Sequence, residues 1–181
     1  RNSGSMRAAA FTDLTGPDGV SIVERPAPDP GPGEAVVDVE ACAINRHDLW
    51  ILEGDSAMVD TDDLPFVSGL DVAGTVAAVG DDVRGVEPVR ADRLVALPES
   101  VSTETAAALP TAYMTAYRML QRAQAGPGDL VFVPGATGGV GVASVQLADV
   151  LGARTVGTSS SAAKLDRLTE LGLDHAVEGA D

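Results

Sequence analysis

Apolar and polar positions alternate along the first half of the chain and change to a longer period after Pro98. Residues 7–11, 20–24, 34–42 and 71–79 carry the period-two pattern of half-buried strands. In the third of these Val37, Val39 and Ala41 share one face. Residues 26–33 hold four prolines and two glycines and read as an irregular loop. Residues 45–52 start a short helix, residues 55–63 form a polar loop, and the fourth strand ends at the turn Gly80-Asp81-Asp82. Short strands between Gly/Pro turns predict a small barrel or sandwich.

Beyond Pro98 the helical period takes over. Residues 102–105 open a helix, with Ser102 or Thr103 as N-cap and an acid in the first turn. Residues 111–123 continue as a longer helix, with Tyr113, Ala116, Tyr117 and Leu120 at helical spacing, and stop at the turn 126–129. Residues 130–134 are continuously apolar, as a strand covered on both faces would be. The run Gly135-Ala136-Thr137-Gly138-Gly139-Val140-Gly141 follows directly. Residues 140–151 are a helix, with Val142, Val145, Leu147 and Val150 on its apolar face and Gly152 closing it. A strand at 154–158, a helix at 161–171 capped by Gly172, and a strand starting at 175–177 complete a β-α-β-α-β series. That series is the mononucleotide-binding half of a doubly wound fold, so the fold class is α/β with a parallel sheet.

Composition narrows the partners. The chain has 27 acidic and 12 basic residues and a net charge of −15, a surface that repels nucleic acid phosphates and anionic membranes. Neither is expected as a partner. Lys164 is the only lysine. Acid excess with lysine depletion points to salt adaptation; a high-GC genome, which favours Arg over Lys, is the other source of the pattern. Aromatic residues make up 3% of the chain, so the core must be built from Val, Ala and Leu. With Cys42 alone, no intrachain disulfide is possible, which fits a reducing cytoplasm. No apolar run has membrane-spanning length and no signal-peptide pattern is present. Residues 1–5 read as a cloning remnant ahead of a natural start at Met6.

The glycine run carries the chemistry. Placed between a buried strand and a helix, with a second strand some twenty residues on, it has the context of a dinucleotide fingerprint. Gly138 lets backbone amides approach a pyrophosphate, Gly141 lets the helix pack close, and the helix N-terminus supplies N–H groups for the phosphates. Ala136 stands at the first glycine position, with Thr137, Gly139 and Val140 completing the cofactor-binding turn. A glycine-rich helix start without a ligand is the plain alternative. The end of the next strand selects the cofactor, because a carboxylate there holds the ribose hydroxyls of NAD. Ser159 and Ser160 stand there instead, with Lys164 in the following helix. Hydroxyls and a cation accommodate a 2′-phosphate, so NADP(H) is expected in preference to NAD(H). An ordinary solvated helix lysine is the other reading of Lys164.

In these features the chain resembles the medium-chain dehydrogenase/reductase superfamily, its quinone oxidoreductase-like and zinc-type alcohol dehydrogenase-like branches. The resemblance runs through 39–49 (Val-Glu-Ala-Cys-Ala-Ile-Asn-Arg-His-Asp-Leu), 69–74, 79–83, 106–110, 115–117 and the glycine run, in order over nearly the whole chain. It implies a GroES-like β-barrel substrate domain at 6–110, a partial Rossmann domain at 111–181, and substrate between them. Zinc-dependent members place Cys, His and Cys where this chain has Asn45, Leu70 and a position near Thr111, so no catalytic zinc is expected. Asn45 matches the zinc-independent quinone and enone reductases, which deliver hydride to an electron-poor C=C or quinone. His47 falls where alcohol dehydrogenases carry a proton-relay hydroxyl. It reads as a general acid or as a capping histidine. Arg46 falls where relatives contact cofactor phosphate; a surface arginine is equally compatible. Asp48 and Asp71 look structural, and Cys42 reads as a buried, inert thiol.

The chain departs from the family in two places. The sequence passes from 85–88 directly to 89–98, where relatives carry a long lobe that in some holds a structural zinc. Only three strands of a six-strand dinucleotide fold are present, which leaves the strand at 130–133 with a bare edge. The expected function is a zinc-independent, NADPH-dependent reductase of a quinone, activated alkene or carbonyl. The alternatives are a zinc-type alcohol dehydrogenase-like protein and a non-catalytic nucleotide-binding fragment. The resemblance further implies a small-molecule substrate and a homo-oligomeric full-length protein.

Overall fold

The computed structural model describes residues 4–81 and 94–179. The chain splits into two compact units, Arg1–Ala108 and Leu109–Asp181. The junction expected at 88–89 lies outside the described residues.

In the first unit, β1 (Ser5–Phe11) pairs antiparallel with β2 (Val20–Pro26). Ser5, expected to stand outside the fold, is opposite Pro26 in that register. The connection tightens through a 3-10 turn at Pro17–Gly19, where a β-carbon on Gly19 would lie 2.3 Å from the Asp13 carbonyl oxygen. β3 (Ala35–Ala43) pairs antiparallel with β4 (Asp71–Val79). Among the described residues these strands form two separate ribbons, with one further bridge between Phe11 and Phe66.

β3 does not keep the simple alternation expected of it. Its register shifts between Val36 and Val37 and again between Val39 and Ala41. The first leaves Ala77 of β4 as the extra residue and the second leaves Glu40 of β3, and the second resets which face the next β3 side chain takes. Val39 is consequently exposed, while Ala41 packs on Ala73, Ala106 and Ala107. Cys42, the next residue after inward-facing Ala41, takes the opposite face, so the buried thiol expected there is an exposed one. Gly74, opposite Val39, is required by the close strand pairing: a β-carbon would lie 2.0 Å from the Asp38 carbonyl oxygen.

The core of this unit gathers Phe11, Ile51, Leu52 and Val59, with α1 (Arg46–Leu52) supplying the second and third of these. The short helix α2 (Thr103–Ala107) begins at Ser102, whose hydroxyl accepts the Thr105 N–H at 3.2 Å. This is the N-cap expected from the sequence.

The second unit is a three-stranded parallel sheet in the order β5-β6-β7, from Leu130–Val133, Arg154–Ser159 and His175–Glu178. Helices α3 (Pro110–Ala123), α4 (Gly139–Val150) and α5 (Ala162–Thr169) accompany it. Val133, Ala136, Val145, Leu165, Leu168 and Leu173 form its core. The continuous apolar run predicts that β5 is covered on both faces. Instead Leu130 and Phe132 are more than half exposed, while Val133 is buried. Among the described residues β5 lies at the end of the sheet order, and only one of its faces meets the core. On α3, Ala116 and Leu120 are buried but Tyr117 faces out. No helix among the described residues is long and apolar enough to cross a membrane.

Leu168 is 2% exposed at the centre of this core. Leu168→Ala should therefore cost about 2–5 kcal/mol of stability, read from urea unfolding followed by circular dichroism. A loss below about 1 kcal/mol would be inconsistent with this packing.

Candidate functional site

The glycine turn joins β5 to α4 in the second unit. Gly135 has φ +61°, a backbone conformation that side chains disfavour. Its N–H donates to Thr158 Oγ1 at 3.3 Å, and the Ala136 N–H donates to the Thr158 carbonyl oxygen at 2.8 Å. The turn is thereby pinned to the end of β6. Ala136 is fully buried and its amide is committed. The residue at the first fingerprint position, expected to take part in cofactor binding, is thus enclosed, and its N–H already holds the turn.

The remaining glycines divide by what surrounds them. A β-carbon on Gly141 would lie 2.6 Å from the Ala136 carbonyl oxygen and 2.7 Å from its Cα. α4 thus approaches the turn as closely as backbone allows. Gly138, the N-cap of α4, has φ −80°, which any residue adopts. A β-carbon there would meet only the Gly135 carbonyl oxygen, at 3.5 Å, and one on Gly139 only Ala112 Cβ, at 3.9 Å. Neither conformation nor protein packing demands glycine at these two positions. The space above them is open, and it borders the first turn of α4, where the N–H groups of Gly139, Val140 and Gly141 lack intrahelical acceptors. An anion placed there meets N–H donors and the positive end of a helix.

At the end of β6 the expected residues separate. Ser159 is 6% exposed. Its Oγ lies 2.9 Å from Thr137 Oγ1 and accepts the Ser161 N–H at 3.2 Å. It faces the interior, whereas Ser160 and Lys164 are exposed. Glu178, which sequence reasoning overlooked, stands opposite Ser159 in the β6–β7 register and is exposed. A carboxylate therefore reaches this end of the sheet from the neighbouring strand. Only the parallel pairing of β7 reveals it, because the two residues are far apart in sequence.

In the first unit Asn45 is the N-cap of α1. Its backbone N–H donates to Asp48 Oδ2 at 2.7 Å, and the Asp48 N–H returns to the Asn45 carbonyl oxygen at 3.0 Å. The Asn45 side-chain Nδ2 donates to Asp71 Oδ2 at 3.0 Å. Asp48 and Asp71 are buried, and the Ser68 hydroxyl also donates to Asp48. The two carboxylates fasten the start of α1 and the start of β4 around Asn45. Arg46, the first residue of α1, is exposed. The His47 ring stands edge-on to Trp50 at 6.4 Å. Its Nδ1 is buried without a hydrogen-bond partner among the described residues. Leu70 is half exposed beside Asp71. Among the described residues no three His, Cys, Asp or Glu side chains converge as a metal-binding group.

The alcohol dehydrogenase GroES-like domain model matches residues 31–135. The chain is 35% identical to the human synaptic vesicle membrane protein VAT-1 homolog over 96% of its length and 49% of that protein's. It is 34% identical to 2-methylene-furan-3-one reductase of Solanum lycopersicum, over 96% of its length and 52% of that enzyme's. It superposes on the quinone oxidoreductase of Thermus thermophilus, a protein also solved in complex with NADPH, with a TM-score of 0.79 and 35% identity. That match covers 94% of this chain and 59% of the other. The chain spans about half the length of the curated relatives it matches.

The contrast between Gly141 and Gly138 is testable without a ligand. Gly141→Ala should destabilise the protein by about 1–3 kcal/mol, because the new methyl meets backbone. Gly138→Ala should stay within about 0.5 kcal/mol of wild type. Thermal unfolding of both nucleotide-free variants checks this, and equal losses would contradict the packing described.

Proposed function

The chain belongs to the alcohol dehydrogenase GroES-like domain family, and we propose that the protein is an NADPH-dependent oxidoreductase. Its acceptor is a quinone or an activated alkene or carbonyl, and it works without a catalytic zinc. The observation that carries this reading is the open space above Gly138 and Gly139, bordered by the unpaired N–H groups of α4. The relatives support it. One is named as a reductase of a methylene-furanone, and another is a quinone oxidoreductase solved with NADPH.

Each residue has a definable task. Gly139, Val140 and Gly141 present backbone N–H groups to the pyrophosphate. Ser160 and Lys164, both exposed, are placed to receive a ribose 2′-phosphate. Arg46 offers a further exposed cation for cofactor phosphate. Glu178 opposes that preference from β7, so the balance between one lysine and one carboxylate sets its strength. When bound, the nicotinamide supplies the hydride. Asn45 orients the acceptor from a position fixed by Asp71 and Asp48. His47, with Nδ1 enclosed, offers Nε2 to hand a proton to the reduced substrate. At the positions where zinc-dependent relatives have metal ligands, Asn45 donates a hydrogen bond to a buried carboxylate and Leu70 has an apolar side chain. Neither is a replacement for thiolate or imidazole.

NADPH consumption with a panel of quinones and enones tests the reading directly. Turnover should be faster with NADPH than with NADH and should survive exhaustive chelation. Gly138→Ala should weaken nucleotide binding although the fold tolerates it. Lys164→Ala should weaken NADPH about 3- to 10-fold and leave NADH unchanged. His47→Gln should lower kcat about 100-fold with little change in KM. Failure of every acceptor, or loss of activity on chelation, would reject the proposal.

A further inference from the structure

We propose that Ser159 is a positioning residue, a latch that fixes the glycine turn, and not a ligand of the 2′-phosphate. Discrimination between phosphorylated and unphosphorylated ribose then falls to Ser160 and Lys164. This rests on the reading of the glycine turn as a nucleotide site.

A serine hydroxyl has one proton and two lone pairs. Phosphate oxygens are acceptors, so a phosphate can use only the proton. One lone pair of Ser159 Oγ already takes the Ser161 N–H at 3.2 Å, and Thr137 Oγ1 stands 2.9 Å away. If Ser159 donates to Thr137, no proton is left for a ligand. If Thr137 donates, both lone pairs are filled and the remaining proton belongs to a side chain 6% exposed. Either arrangement turns the hydroxyl inward.

What the pair joins explains its purpose. Thr137 lies between Ala136, whose N–H is held by the Thr158 carbonyl, and Gly138, the N-cap of α4. Ser159 ends β6, its carbonyl accepts the Gly179 N–H at 3.1 Å, and its Oγ holds the N-cap residue of α5. One hydroxyl pair therefore ties the turn to the end of β6 and the start of α5, while the Ser159 backbone carbonyl joins the same point to the end of β7. Backbone N–H groups recognise an anion only while they stay aimed. Removing the latch disturbs that aim for every nucleotide, whatever its ribose carries.

The test is a double-mutant cycle in the intact protein. Ser159→Ala, Thr137→Val and the double variant are titrated by calorimetry with ADP-ribose and with 2′-phospho-ADP-ribose, and nucleotide-free unfolding is measured alongside. Each single variant should weaken both ligands by the same factor, about 3- to 10-fold, leaving their affinity ratio unchanged. The double variant should be no weaker than Ser159→Ala alone, because the bond between the two hydroxyls is already lost in that variant, together with the Ser161 N–H contact. Thr137→Ser, which keeps the hydroxyl, should bind like wild type, and Lys164→Ala should weaken only the 2′-phosphorylated ligand. If Ser159→Ala weakens only that ligand, Ser159 is a phosphate ligand and the latch is wrong. If Ser159→Ala lowers the unfolding temperature but neither affinity, its role is purely structural and the latch is again wrong. If the wild-type protein binds neither compound, the nucleotide reading itself fails, an outcome distinct from both.

Discussion

A β-carbon at position 141 would stand 2.6 Å from the carbonyl oxygen of Ala136, and one at 157 would stand 2.8 Å from the Ala136 methyl. Ala136 is thus enclosed between the first turn of α4 and the middle of β6. This three-way approach of backbone determines the second unit. It brings α4 against the turn, exposes the unpaired N–H groups of its first turn, and leaves open space above Gly138. Because Ala136 is fully buried, the turn has no freedom to retreat. Its side chain helps fill the same core as Val145 and Leu168. Packing of the apolar core and aim of the donor groups are therefore a single property.

The glycine turn could be found from sequence because glycine is informative where backbone crowding excludes a side chain. Strand, glycines and helix follow one another without a gap, and the periodicities on either side identify them. What the spacing did not distinguish was the kind of work each position performs. Gly141 and Gly138 are the same letter, yet one answers to protein backbone and the other to open space. Ser159 and Ser160 are adjacent and chemically identical, yet the first ends β6 facing inside and the second, just past the strand, is exposed. The alternation within β6 was available in principle, but which of its faces meets the core, and where the strand ends, were not.

The first unit shows the opposite limit. Its strands were legible as elements, but the register shifts in β3 were not, because a bulge is decided by pairing with a partner strand and carries no local signature here. The exposed position of Val39 follows from the second shift. Glu178 was missed for a related reason. Its nearness to Ser159 is created by the parallel pairing of β6 with β7 and leaves no mark in either segment alone.

The cluster around Asn45 depends on the cost of burying charge. Asp48 and Asp71 are both almost wholly enclosed, and a buried carboxylate persists only with hydrogen-bond donors at its oxygens. Asn45 supplies one donor to each, from its backbone N–H and from its side-chain amide. A cysteine at this position would keep the first donor and replace the second by a weak S–H donor, with the adjacent carboxylate and the burial both disfavouring its thiolate. With asparagine the same carboxylate receives a neutral N–H donor, so this part of the fold holds together through the chain's own hydrogen bonds. The residue that orients a substrate in the proposed reaction is thus also the one that lets two buried carboxylates remain beside it.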